Sequence, residues 1–124
     1  RQAIEIYRQL IRYVQSHFAG CEIGQVMLPL TAYNYSKVLG MEGRYEEAIE
    51  IAELGRQWCV KYNKCRMLGG LLLNIACCLH ELGNDEKSKK LLLNSYYAYL
   101  LMENFTSCKV VQEYAEENLG MKIS

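Results

Sequence analysis

The chain has 124 residues, with 14 basic and 14 acidic side chains, and 51% of its residues are hydrophobic. This length accommodates one domain with a single continuous core. The net charge is zero, so the chain has no overall excess of basic residues of the kind that nucleic-acid-binding segments use. We therefore expect DNA contact only through a domain upstream of Arg1, and we interpret the chain as a piece of a longer protein.

The apolar stretches of the sequence are too short for a membrane span. The run at residues 67–79, MLGGLLLNIACCL, falls short of the roughly 20 residues that a transmembrane helix needs, and it contains glycine and asparagine. No signal-peptide pattern is present in the sequence. We expect a cytoplasmic protein that has no membrane partner.

Six cysteines could suggest a disulfide framework or a metal site. They are Cys21, Cys59, Cys65, Cys77, Cys78 and Cys108. No CxxC pair exists, which argues against a zinc ribbon or a thioredoxin-like site. Adjacent Cys77 and Cys78 would point to different sides of a helix, which disfavours a redox switch between them. We expect reduced thiols that behave as small hydrophobes, and we predict neither a metal nor a cofactor.

Helical periodicity dominates the chain from one end to the other. Apolar residues recur at i, i+3 and i+4 spacing, and no stretch sustains the alternating pattern of a strand. Glycines and possible capping residues at 39–45 and 82–87 each end one helix and start the next. The pattern predicts an all-α fold with six helices at about 1–18, 24–41, 44–62, 66–82, 85–103 and 106–120.

The only proline makes the start of the second helix ambiguous. Pro29 could lie in the first turns of a helix that begins near residue 24, or could mark its true start, because proline is tolerated at the first helical position. If the helix began at Cys21, Pro29 would kink it.

The sequence repeats itself with a period of about 40 residues. Ala3–Ile6 and Ala48–Ile51 are the same tetrad, and Ala115 lies 39 residues after Ala76. The two central copies pair residues at one offset: Ser36 with Ala76, Leu39 with Leu79, Gly43 with Gly83, Tyr45 with Asp85, and Ala48 with Ser88. Such a period indicates stacked helical hairpins. We predict one repeat domain over 1–124, with a partial repeat at 1–20, repeats at 24–62 and 66–103, and a closing helix at 106–120.

The pattern small-x-x-Leu followed by Gly-x-Tyr-x-x-Ala resembles the tetratricopeptide repeat (TPR). It is carried by Ser36, Leu39, Gly43, Tyr45 and Ala48. The second copy departs from it at Asp85 and Ser88, the period exceeds the family's 34 residues, and the family's terminal proline is missing. Longer helices without proline resemble the C-terminal repeat domain of bacterial helix-turn-helix regulators that sense peptides, the Rgg, PlcR and NprR type. The resemblance implies a TPR-like α-solenoid with a groove for a peptide.

Two asparagines are the main candidates for binding in that groove. Asn34 and Asn74 lie 40 residues apart, each two residues before a small residue of the repeat. An asparagine amide can pair with both the N–H and the C=O of an extended peptide, and the resemblance implies this role for both. The alternative is that they form structural hydrogen bonds within their helices.

Two neighbours of Asn34 and a tyrosine cluster extend the candidate site. Tyr33 and Lys37 are predicted to share its helix face, where Lys37 could bind a ligand carboxylate or could simply be solvated. Aromatic residues then gather near the end of the fifth helix, and these suit either a ligand groove or packing between repeats: Tyr96, Tyr97, Tyr99 and Phe105.

The sequence offers little for catalysis. Cys77 and His80 are three residues apart on a predicted helix, and a cysteine–histidine pair can form a nucleophile. The segment HELGN lacks the second histidine of the HExxH zinc motif, and no glycine-rich phosphate loop is present. We therefore predict a protein that is not an enzyme.

The functional expectation joins the repeat pattern to the resemblance. It is a peptide- or protein-binding and oligomerisation domain of a bacterial transcription regulator, of the kind used in quorum sensing. Such domains commonly form homodimers, and the closing helix offers a surface for this. The alternative is a generic scaffold that joins larger proteins and binds no small peptide.

Overall fold

The computed structural model describes residues 2–124 and contains six α-helices in that range. They are α1 (Gln2–His17), α2 (Glu22–Met41), α3 (Tyr45–Lys61), α4 (Leu68–Glu81), α5 (Asp85–Leu101) and α6 (Phe105–Leu119). Each helix packs against the next one along the chain, and α2 also packs against α4. The architecture is an all-α solenoid of helical hairpins, which confirms the predicted fold class. Every predicted helix from α1 to α6 is present, with ends within two residues of those expected.

The turns inside the hairpins have one shared geometry. Gly43 and Gly83 adopt left-handed conformations, with φ of 78° and 84°. The next residue then donates its N–H back over the helix end: Arg44 to the carbonyl of Leu39 at 2.9 Å, and Asn84 to that of Leu79 at 2.8 Å. This is the Schellman arrangement, in which glycine avoids the strain that a β-carbon would meet. Gly43 and Gly83 therefore end their helices as the sequence predicts, by adopting a left-handed conformation after the last turn.

Small residues occupy the places where the helices approach most closely. Ser36, Ala76 and Ala115 are fully buried in α2, α4 and α6. On the second helix of the later hairpin, Ser88 is also fully buried, and its hydroxyl donates to the carbonyl of Ala76 at 2.7 Å. The serine that replaces the usual alanine therefore costs no unsatisfied polar group, because it bonds to the facing helix.

The start of α2 decides between the alternatives left open at Pro29. The helix begins at Glu22 with Cys21 as its N-cap residue, so Pro29 lies inside the helix rather than at its first turn. Pro29 is fully buried. It has no N–H to donate to the carbonyl four residues earlier, and α2 continues through it because the surrounding core holds that segment in place.

The core has two clusters that follow the order of the hairpins. The larger cluster joins α1, α2, α3 and α4 and includes the fully buried Leu28, Leu39 and Leu71. The smaller one joins α4, α5 and α6 around Leu92 and Val111. After α6, Gln112 donates to the carbonyl of Ile123 at 2.9 Å and holds the buried Ile123 against this second cluster. None of the helices among residues 2–124 is long and apolar enough to cross a membrane.

All six cysteines are free thiols, three of them buried: Cys59, Cys78 and Cys108. Burial raises the pKa of the Cys59 and Cys78 thiols to about 11 each. Both thiols are therefore protonated in the folded chain at pH values where an unfolded thiol, with a pKa of about 8.5, already ionises.

We expect stability to fall as the pH rises. Below about pH 8.5 the contribution of these thiols is fully present, and it is lost between that pH and about 11, because only the unfolded chain releases the protons. The loss at pH 10 should be about 1 to 2 kcal/mol for each thiol. Urea unfolding between pH 7 and pH 10 measures this dependence. It should become shallower in a Cys59→Ala/Cys78→Ala variant and stay unchanged when the exposed Cys21 and Cys65 are replaced instead.

Candidate functional site

A cavity of about 590 Å³ lies between the first helices of successive hairpins. Helices α2, α4 and α6 supply most of its wall, and Tyr45 and Tyr99 reach it from α3 and α5. The side chains that line it are Tyr33, Ser36, Lys37, Met41, Tyr45, Leu73, Asn74, Cys77, Cys78, Glu81, Tyr99, Ser107, Val110 and Tyr114, with Gly40. This places the cavity on the surface where the repeat pattern predicts a groove.

Two glycines of α4 make room for the aromatic rings at one end of the cavity. A β-carbon at Gly70 would lie 2.5 Å from Cε1 of Tyr33 and 3.1 Å from the hydroxyl of Tyr99. One at Gly69 would lie 2.8 Å from the ring of Tyr99. Tyr33 and Tyr99 therefore rest against bare backbone, and burial raises the pKa of Tyr99 to about 12, so its hydroxyl stays protonated as a donor.

Asn74 links α4 to α2 and lines the cavity. Its amide nitrogen donates to the carbonyl of Tyr33 at 3.1 Å and to the hydroxyl of Ser36 at 2.8 Å. The carbonyl of Tyr33 only accepts, which fixes which end of the amide is nitrogen. Within residues 2–124 the amide oxygen Oδ1 has no hydrogen-bond partner. Asn74 therefore offers a ligand an acceptor and has already used its donors.

Asn34 is placed differently from its repeat equivalent. It is half-buried in α2 and is not among the residues that line the cavity. Asn74 faces the first helix of the preceding hairpin, whereas the chain segment before α2 is α1, a second helix. No side-chain hydrogen bond of Asn34 occurs within residues 2–124. The two asparagines share a repeat position but not a cavity, because their neighbours differ.

The other two sequence candidates on α2 do line the cavity. Lys37 is exposed, and its Nζ lies 5.9 Å from the centre of the Tyr33 ring, within reach of a cation–π contact. Of the predicted aromatic cluster, Tyr99 enters the cavity and Tyr96 packs on the second core cluster. Tyr97 and Phe105 are 50% and 63% exposed and lie outside the cavity.

A cluster at the other end of the cavity was not predicted from the sequence. The hydroxyl of Tyr45 donates to the Glu81 carboxylate at 3.3 Å. Tyr114 and Cys77 both line this part of the cavity, and burial raises the pKa of both groups. The signal for part of this cluster was available, because Asn74, Cys77 and Glu81 follow i, i+3 and i+7 spacing on one helix face.

Cys77 and His80 do not form the nucleophile–base pair that their spacing allows. The Nδ1 of His80 lies 2.8 Å from the carboxylate of Asp85, and its ring meets the ring of Tyr114 edge-on. The base that a thiolate mechanism would need is therefore bonded to Asp85 rather than to the Cys77 thiol.

Comparisons of this chain with known protein families, with curated proteins and with solved structures find no match. The class of the molecule is therefore defined by its fold and its cavity: a helical-hairpin solenoid with a mainly apolar cavity, carrying a few polar and charged side chains, between its first helices.

Proposed function

We propose that this chain is a non-catalytic binding module whose cavity holds an extended segment of a peptide or protein. The observation that carries the proposal is the chemistry of the cavity wall. It combines tyrosine hydroxyls, one free amide oxygen on Asn74 and single charges of each sign on Lys37 and Glu81. Its volume lies in the range of ligand-binding pockets. Peptides present N–H donors, apolar side chains and charges in close succession, and this wall complements all three.

The state of Cys77 supports a role without catalysis. A nucleophilic cysteine needs a lowered pKa or an adjacent base. Burial instead raises the pKa of the Cys77 thiol, and the nearest histidine along the helix is bonded to Asp85. On this proposal Cys77 acts as a small apolar residue of the cavity wall.

The resemblance to peptide-sensing regulators extends the proposal to a biological setting. In that setting the module belongs to a cytoplasmic homodimer and contacts DNA only through a helix-turn-helix domain upstream of Arg1. A peptide that bound some arrangements of the hairpins more tightly than others would shift the orientation of that domain. Sequencing of the gene upstream of Arg1 tests this setting directly, because a missing helix-turn-helix would remove it.

A second candidate, a scaffold that joins larger proteins, is favoured by a different surface. An apolar stripe follows the outer side of α5 and the start of α6, and consists of Leu93, Tyr97, Leu101 and Phe105. Leu101 and Phe105 are 84% and 63% exposed. Contiguous exposed apolar residues often mark protein interaction sites. This stripe lies outside the cavity, so the two roles can be tested separately.

Filling the cavity should weaken peptide binding. Val110 lines the cavity and is 50% exposed, whereas Val60 on α3 is 73% exposed and lies outside it. Val110→Trp should weaken binding of peptides selected on the wild-type chain from a random, N-acetylated hexapeptide library by at least about tenfold, because the indole takes the ligand's space. Fluorescence anisotropy with the labelled peptides measures the affinity.

Val60→Trp is the matched control and should leave the affinity unchanged. Circular dichroism melts of both variants verify that the helices remain folded. Equal binding by wild type and Val110→Trp, or a failure of the wild-type chain to select any peptide, would contradict the proposed function. A loss of protein partners on Leu101→Ser, with peptide affinity intact, would support the scaffold role instead.

A further inference from the structure

We propose that the cavity selects segments that carry a lysine or arginine side chain, whose cationic group binds Glu81 beside Tyr45 and Tyr114. The inference rests on the proposed function and specifies the chemistry of the ligand. Among residues 2–124, Glu81 is the carboxylate that lines the cavity.

Glu81 has no cationic partner within residues 2–124. Its recorded hydrogen bond is the one it accepts from the Tyr45 hydroxyl at 3.3 Å. Three other glutamates have a nearby arginine instead: Glu5, Glu47 and Glu53 each lie 2.6 or 2.7 Å from an arginine three residues away. The residues three and four positions from Glu81 in the sequence carry no positive charge: they are Cys77, Cys78, Asn84 and Asp85.

Neither nearby basic group neutralises Glu81. His80 is bonded to Asp85 at 2.8 Å. Lys37 lies elsewhere along the cavity, with its Nζ over the Tyr33 ring. The hydrogen bond between Asn74 and Ser36 places these two residues at the same height on α4 and α2. Lys37 is then about six residues before the height of Glu81, which is roughly 9 Å along the helix axis at 1.5 Å per residue. Glu81 is exposed, and no ion pair within residues 2–124 neutralises it, so its charge is accessible to a ligand.

The surroundings of Glu81 suit a long basic side chain. The rings of Tyr45 and Tyr114 line this end of the cavity, together with the side chain of Met41. Aromatic faces attract a cationic head group, and a thioether and ring edges pack against an aliphatic stem. The charge of Glu81 also acts on its neighbours: it raises the pKa of Tyr45, Cys77, Cys78 and Tyr114 in addition to the effect of burial. These four acidic groups stay neutral, so they leave the carboxylate as the charged group that a ligand cation meets here.

A charge exchange at residue 81 tests the inference. Selection from the random N-acetylated hexapeptide library on the wild-type chain should enrich lysine or arginine over leucine at one peptide position by about tenfold. Glu81→Gln should reduce that preference to about twofold or less. Glu81→Lys should reverse it, so that aspartate or glutamate is enriched at the same position. Sequencing of the selected peptides measures each preference.

Glu50→Lys supplies the control, because Glu50 is exposed on α3, lies outside the cavity and undergoes the same change of charge. It should keep the wild-type preference. Peptides selected without a basic preference, or a preference that survives Glu81→Lys, would overturn the inference and leave the proposed function standing. A basic preference seen only with unacetylated peptides would assign the site to a terminal amine and overturn the side-chain assignment. If the wild-type chain selects no peptide, the proposed function fails and the inference fails with it.

Discussion

Leu39→Ala should lower the free energy of unfolding by about 3 kcal/mol. Leu39 is fully buried in α2 and belongs to the core cluster that joins α1, α2, α3 and α4. Its own carbonyl accepts the N–H of Arg44 that closes the turn to α3. Truncation would leave a cavity between two hairpins, and the surrounding helices cannot collapse into it without losing the register that the turn sets. Urea unfolding followed by circular dichroism gives the value.

Leu101→Ala makes the same chemical change on a side chain that is 84% exposed. It should alter the free energy of unfolding by less than about 0.5 kcal/mol. Similar losses in both variants would contradict a stack whose shared core runs through α2. The comparison also bears on the repeat itself, because Leu39 and Leu79 are buried at equivalent positions 40 residues apart.

The repeat explains which parts of the structure could be predicted from the sequence. Helix periodicity and the turn glycines Gly43 and Gly83 act locally, so six helices and their ends follow from short stretches of chain. The burial of Ser36 and Ala76 follows from their equal place in two copies. The start of α2 was less well predicted, since Pro29 is tolerated inside the helix only through packing that no local pattern reveals.

The site was only partly predictable, for the same physical reason. Tyr33, Lys37 and Asn74 line the cavity, whereas Asn34, which repeats Asn74 in sequence, does not. A repeat fixes the position of a residue on its own helix, whereas the environment depends on which helix lies beside it. Tyr45 and Glu81 are in contact although they lie 36 residues apart on different helices, and a local sequence pattern does not predict such a long-range contact.

Repeat-equivalent positions divide into a matched set and a divergent set. The positions that hold the hairpins together keep similar residues in both copies: Ser36 and Ala76, Leu39 and Leu79, Gly43 and Gly83. Three equivalent pairs line the cavity, and each pair differs in chemistry: Tyr33 and Leu73, Lys37 and Cys77, Met41 and Glu81. The duplicated frame therefore supports a wall that is not itself duplicated. A wall of this kind can distinguish one end of a ligand from the other, because Lys37 and Glu81 carry opposite charges at separate places along it.

The second large effect is expected at the junction of α1 and α2. Gly24→Ala should lower the free energy of unfolding by at least about 2 kcal/mol. A β-carbon at Gly24 would lie 1.8 Å from the backbone oxygen of Phe18 and 2.4 Å from its carbonyl carbon. That oxygen accepts the N–H of Cys21 at 3.1 Å and its thiol at 3.2 Å, so it cannot move aside without breaking both bonds. Alanine is favoured over glycine within a helix by about 1 kcal/mol. The expected loss of stability is therefore the cost of the steric clash minus this gain.

Gly20→Ala is the matched control in the same connection, because a β-carbon there meets nothing within 4 Å. It should change stability by less than about 0.5 kcal/mol. If α1 separates from the stack in Gly24→Ala while the later hairpins remain folded, hydrogen exchange should show lost protection in α1 and retained protection in α4 and α5. A Gly24→Ala variant as stable as wild type would contradict the close approach of α2 to the end of α1.

The cavity depends on that approach only indirectly, since its wall is built mainly from α2, α4 and α6. Peptide binding by the folded fraction should therefore survive the substitution.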